Sequence, residues 1–174
     1  MSDNLETQLN AAILGETADF ALHSSTDNRL AALRLIRQAQ RHLYLFSRDL
    51  DPRVLDDPDI TSALSALVRR HRSSHARLLV ADVGPAQRNG HRWLELVQRL
   101  SSKIDVRIIH DDHQHHPFCF MVVDQNGLLY RSNAADFAGE VHFHAPLPCL
   151  EKLKFFDEVW QISRPASELR RLFI

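Results

Sequence analysis

The feature that most constrains the fold is an alternation, over residues 18–109, of short apolar runs with helical stretches. Ala18–Ser24 alternates weakly and reads as a first strand. Thr26 or Asp27 can cap the helix that follows, on which Leu30, Leu33 and Ile36 form one stripe. His42–Phe46 is apolar on both sides, the pattern of a strand covered on both faces. Asp57-Pro58 then supplies an N-cap and a proline at the first helical position. Ile60, Ala63, Leu64, Leu67 and Val68 repeat at helical spacing, and the basic run Arg69–Arg72 ends that helix where cations suit its dipole. Ala76–Ala81 is a third strand, Trp93, Leu96, Val97 and Leu100 mark a third helix, and Ile104, Val106 and Ile108 alternate with Asp105 and Arg107 as a fourth strand. Strand and helix in strict succession predict an α/β domain with a largely parallel sheet.

The second half changes character. Phe118–Val123 is a continuous apolar strand, and Asn126-Gly127 predicts a two-residue hairpin turn before the return strand Leu128–Arg131. Val141–His144 reads as a short strand, and Pro148 as the start of a last helix carrying Leu153, Phe156, Val159 and Trp160. Leu172-Phe173-Ile174 is an apolar tail able to join a sheet edge. Residues 1–17 read as a polar, frayed lead-in, leaving 18–174 as one domain, a size that suits about 100–200 residues per fold unit.

Composition excludes some function classes. Apolar residues make up 44% of the chain, enough for a core. With 21 basic and 22 acidic residues the net charge is −1, which counts against nucleic acid as a partner and against a polybasic membrane anchor. No apolar run is long enough to span a bilayer. Two cysteines, Cys119 and Cys149, and an acidic N-terminus without an apolar leader point to the reducing cytoplasm. Eleven histidines make the net charge climb below about pH 6.5. No cofactor is expected, since Gly84 and Gly90 are too sparse for a phosphate-cradling loop.

Several segments together resemble the phospholipase D superfamily. The order of elements matches that repeat. The late helix reads Phe156-Asp157-Glu158-Val159-Trp160, the hairpin Val122–Gly127 carries Asp124, and Tyr130-Arg131-Ser132-Asn133 follows. The resemblance spans roughly residues 18–174 and implies a three-layer domain with a mixed central sheet flanked by helices. It also implies a homodimer, because members of the family set two such halves face to face around one site. The family's strand bears His-x-Lys-x4-Asp. With Asp124 as the motif's Asp, the nucleophilic His falls on Pro117 and the Lys on Cys119. Phosphodiester cleavage of that kind needs an imidazole to attack phosphorus and cations to offset charge on the phosphoryl oxygens. Proline offers no nucleophile and a neutral thiol no charge, and no Lys or Arg occurs in residues 112–130.

The resemblance therefore implies an eroded site that serves as a binding or interaction module. Its old cleft would be lined by Arg48, His116, Asp124, Ser132 and Asn133 and would take a small anion. One alternative is a divergent phosphodiesterase in which a β-bulge brings His116 into the nucleophile's place. The other is a metal-dependent enzyme built on His113 and His115 together with His142 and His144, if the two groups converge. Solvated loops explain those histidines more simply. Ser132 lacks the turn of a nucleophile elbow, and Cys119 inside an apolar strand should be an inert thiol.

Overall fold

A computed structural model describes residues 2–169 of the chain. The chain opens with helix α1 (Ser2–Ala11) and strand β1 (Asp19–Leu22). Helix α2 (Ser25–Gln38), strand β2 (His42–Ser47), a one-turn helix α3 (Pro52–Leu55) and helix α4 (Pro58–Arg70) follow. Strand β3 (His75–Val80), helices α5 (Gly84–Asn89) and α6 (Arg92–Arg99) and strand β4 (Ile104–Ile108) complete the alternating half. Strands β5 (Cys119–Val123), β6 (Gly127–Arg131) and β7 (Gly139–His142), the long helix α7 (Pro146–Ile162) and the two-residue strand β8 (Arg164–Pro165) make up the rest.

The eight strands of the described residues join one sheet in the order β1-β7-β6-β5-β2-β3-β4-β8. The sheet is mixed. β2, β3 and β4 run parallel to one another, as the alternating half requires, and every other pairing is antiparallel. The two faces are covered separately. Leu43, Leu45, Met121 and Val123 point into one core beneath α2, α4 and α6, which contribute Leu35, Leu64, Leu67 and Trp93. Phe46, Phe120, Val122 and Leu128 point the other way, onto Cys149, Phe156, Val159 and Trp160 of α7. The three layers follow from strand alternation, with neighbouring residues facing opposite layers.

Four local expectations are corrected. The lead-in is not frayed: its residues from Ser2 form α1, whose Leu9 is fully buried. Arg34 of α2 donates to the Leu9, Asn10 and Ala12 carbonyls at the end of α1, and Gln38 also donates to Ala12. The cap of α2 is Ser24, in a capping box with Asp27, two or three residues earlier than Thr26 or Asp27 would give. The hairpin has three residues, since Val123 pairs with Gly127. Asp124 and Gln125 take the left-handed conformations, at φ 51° and 59°, and Asn126 N donates to the Val123 carbonyl. Gly127 is required for a different reason. A Cβ there would stand 2.8 Å from both Leu35 and Val123 side-chain carbons. Finally, α7 starts at Pro146 and β7 covers Gly139–His142, each shifted by two residues from the expected bounds. The tail Leu172–Ile174 lies outside the described residues.

Candidate functional site

At the C-terminal end of β2 the chain turns sharply through Ser47–Asp51. Leu50 adopts φ 60°, and its N–H donates to the Ser47 hydroxyl, which fixes the turn. That geometry brings Asp51 back over the strand ends as the cap of α3, where it accepts from Arg53 N. Across from it, the first residue of β5 pairs with the last residue of β6: Cys119 lies directly opposite Arg131.

Arg131 is buried, and its guanidinium is used on three sides. Nε donates to Cys119 Sγ at 3.2 Å, one terminal nitrogen to the Asp136 carbonyl at 3.1 Å, and the other to Asp51 Oδ2 at 3.3 Å. Arg53 adds two more bonds to the Asp51 carboxylate, at 3.0 and 3.1 Å. The Phe137 ring lies against both guanidiniums, 4.4 Å from Arg53 and 5.5 Å from Arg131. Phe137 is itself held by Asn28 of α2, whose amide nitrogen donates to the Phe137 and Ser24 carbonyls. Asn28 is 1% exposed, and its Oδ1 has no partner. Ser47, Asp51, Cys119, Arg131 and Asn28 line a cavity of about 30 Å³, together with apolar residues of the core. A space of that size holds one or two water-sized molecules.

The electrostatics follow from burial and these contacts. Burial pushes the Asp51 carboxyl up, but the Arg53 hydrogen bonds and the Arg131 charge more than offset that and hold it below the usual carboxylate range. Neighbouring Asp49 goes the other way, raised by burial and by the Asp51 charge. Burial also raises the Cys119 thiol, only partly countered by the Arg131 charge and hydrogen bond. The sulfur is thus a neutral thiol at pH 7, and a protonated thiol is a poor nucleophile.

The structure gathers some of the sequence-predicted residues and separates others. Arg48, Ser132 and Asn133 are exposed at this same end of the sheet. The Ser132–Asp136 loop is anchored by the Ala134 N–H on the Pro117 carbonyl, at 2.6 Å, and Asn133 Oδ1 accepts from Ala135 N. Asp124 is elsewhere. Its carboxylate accepts from the backbone N–H groups of Gln40, Arg41 and His42, at the opposite end of β2 and ~20 Å away by strand rise. His116 does not enter the cavity. It packs on the α7 side of the sheet, 4.9 Å from the Phe118 ring and 5.2 Å from Phe155, whereas Cys119 faces α2.

The two histidine groups do not converge either. His113 and His115 precede β5, while His142 pairs with Asp19 and His144 with Asn126, past the far end of β5. Among the described residues no group of three or more His, Cys, Asp or Glu is placed to hold a metal.

Arg131, Asp51, Arg53 and Asn28 were not among the residues singled out from sequence. The signal for Arg131 was hidden by the turn. A two-residue turn at Asn126-Gly127 would pair Arg131 with Val122. Only the three-residue turn sets it against Cys119.

The family model that describes a domain of unknown function, DUF7931, matches residues 24–172. The chain belongs to the DUF7931 family. No curated protein matches it by sequence. Solved structures match this DUF7931 chain by fold. Nuc from Salmonella typhimurium, a phospholipase D family member, is 16% identical with a TM-score of 0.65, over 86% of this chain and 98% of Nuc. NucT from Helicobacter pylori is 8% identical with a TM-score of 0.57, over 86% of this chain and 99% of NucT. The archaeal chromatin protein TrmBL2, whose structure shows a novel mode of DNA binding, is 10% identical with a TM-score of 0.63, over 94% of this chain and 60% of TrmBL2. At these identities the likeness establishes the fold, which is phospholipase D-like. Among the described residues no helix is long and apolar enough to cross a membrane.

Proposed function

We propose that this DUF7931 chain is a phospholipase D-like binding module that does not cleave phosphodiesters. The observation that carries the reading is the use made of Arg131. At the place where the resemblance puts the family's lysine stands Cys119, and the guanidinium beside it is buried and committed to Asp51, Cys119 and the Asp136 carbonyl. A guanidinium neutralised in this way cannot also offset charge on a phosphoryl oxygen without giving up its partners. No histidine lines the cavity, and His116 packs on the opposite face of the sheet. A small anionic ligand would instead be met at the exposed rim, by Arg48 and the Ser132 and Asn133 groups. By the same resemblance the module is a homodimer. Two free cysteines suit a reducing, cytoplasmic setting.

The test is a hydrolysis assay with bis(p-nitrophenyl) phosphate across pH 5–9, paired with calorimetry against inorganic phosphate. The reading expects no turnover and weak phosphate binding that falls several-fold in Arg48→Ala. Turnover that disappears in His116→Ala or Cys119→Ser overturns it. Light scattering at high concentration tests the dimer, and a 20 kDa particle contradicts it.

One observation favours a second reading. The chain covers 94% of itself on a protein described as binding DNA. If it binds DNA, affinity should fall steeply with added salt, because phosphate contacts release counterions. Its net charge of −1 weighs against this.

A further inference from the structure

The residues between β4 and β5 carry an arrangement that the reading above leaves unused. Asp111–His113 form a single 3₁₀ turn, held by the His113 N–H on the His110 carbonyl. This turn brings His113 Nδ1 to 3.1 Å from His116 Nε2. The two rings are stacked at 5.3 Å, and the His115 ring lies 4.3 Å from His116. The pair rests on aromatic carbon rather than on counter-charge: His113 meets Phe155, and His116 meets Phe46, Phe118 and Phe155.

A nitrogen–nitrogen contact of this length is a hydrogen bond only while one nitrogen carries the proton and the other does not. Both rings neutral satisfies it, and so does one ring protonated. Both rings protonated leaves two donors, each charged, face to face. We propose that His113 and His116 form a proton-operated latch on the segment leading into Cys119, closed while they share a proton and released when both are charged.

The surroundings decide what release does. The charged and titratable groups on the loop are His110, Asp111, Asp112 and His115. Asp112 is turned toward His110, at 3.6 Å, and 79% of its side chain is exposed. From α7 comes Lys152, whose ammonium lies 5.4 Å from the Phe118 ring centre. β2 and the residue before β5 present uncharged rings to the dyad, Phe46 and Phe118. The immediate neighbours thus include one more cation-forming group, His115, which opposes a second charge. Consistent with this, partial burial and the nearby His115 and His113 charges lower the His116 titration. His116 is followed at once by Pro117, whose carbonyl holds the Ala134 N–H. Release of the dyad therefore loosens the tie between the His110–Pro117 loop and the Ser132–Asp136 loop, both at the cavity's end of the sheet.

Nuclear magnetic resonance of the full chain tests this in two ways. The imidazole signals of His113 and His116 should titrate as a coupled pair, in two separated steps. Hydrogen exchange should show the Ala134 amide losing at least tenfold of its protection between pH 7.5 and the pH of the second step. Amides of central β2, such as Leu45, report global unfolding and should stay protected. In His116→Phe, which keeps a ring against Phe118 without a titrating group, the pH dependence of Ala134 protection should vanish. It should persist in His110→Asn. Independent titration of the two histidines at ordinary imidazole values overturns the latch. So does Ala134 protection that is insensitive to pH in the wild type, or equally sensitive in His116→Phe.

Discussion

The two ends of β5 have different fates. At its C-terminal end Asp124 accepts three backbone N–H groups from Gln40–His42 and ties the start of β2 to the hairpin. At its N-terminal end the positions the resemblance assigns to His and Lys hold Pro117 and Cys119, and the charge nearby is a buried pair between Arg131 of β6 and Asp51, the cap of α3. On the proposed reading, the residue that does architectural work is kept, while the positions that would do phosphoryl chemistry hold a proline and a neutral thiol beside a satisfied guanidinium. An aspartate that satisfies three donors is required by the fold whether or not any reaction occurs, so its presence carries no information about catalysis.

Perturbing the two ends should give different signatures. The largest effect is expected at the Cys119 end. Arg131→Met takes one of two cations from a mostly buried carboxylate and leaves the Asp136 carbonyl without its donor, a loss of about 2–4 kcal/mol in chemical denaturation. Arg131→Met combined with Asp51→Leu should recover much of that loss, and a purely additive double variant would show that the two residues do not act as a pair. At the other end, Asp124→Ala leaves three strand-start N–H groups without their acceptor. These groups are partly solvated, so about 1–3 kcal/mol is expected, with no change in phosphate binding.

A smaller effect should appear with pH. His91 is 2% exposed. Its Nδ1 accepts from Trp93 N and its Nε2 donates to the Leu50 carbonyl, so the neutral form is built into the cap of α6 and the turn that carries Asp51. Burial lowers its pKa, so the unfolded chain binds the proton more readily than the folded one. Its stabilising contribution is complete above the unfolded value near 6.5 and is lost as pH falls through the lower folded value. Denaturation midpoints should drop over that window, and His91→Gln should flatten the slope. Asp51, held low, contributes stability above about pH 4 and loses it only in stronger acid.

Much of the scaffold was legible because it follows from periodicity. The five core residues of α4 recur at helical spacing, and all five are buried. His42–Phe46 reads as a doubly covered strand and lies between β3 and β5 in the middle of the sheet. What sequence could not give was register. Gly127 looked like a turn glycine, yet it is there because Leu35 and Val123 leave no room for a Cβ. That misreading moved the pairing by three residues and hid the contact between Arg131 and Cys119. Asp51-Pro52 carried only the signal of a helix cap and Asn28 none for a site, because they come from the cap of α3 and the first turn of α2 and line one cavity only in the folded chain. His116 was legible as a residue but not as a direction, since one step along a strand decides which face it occupies.

The most direct test of the central claim is phosphodiester hydrolysis by the wild-type chain and by Pro117→His/Cys119→Lys, measured with bis(p-nitrophenyl) phosphate after both proteins are shown to be folded. No turnover above background is predicted from the wild type at any pH between 5 and 9, because the guanidinium beside Cys119 is bound to Asp51 and no histidine lines the cavity. Wild-type turnover that is lost in Arg131→Met/Asp51→Leu while the fold is retained would contradict it, since the buried guanidinium would then be serving the reaction and not the scaffold.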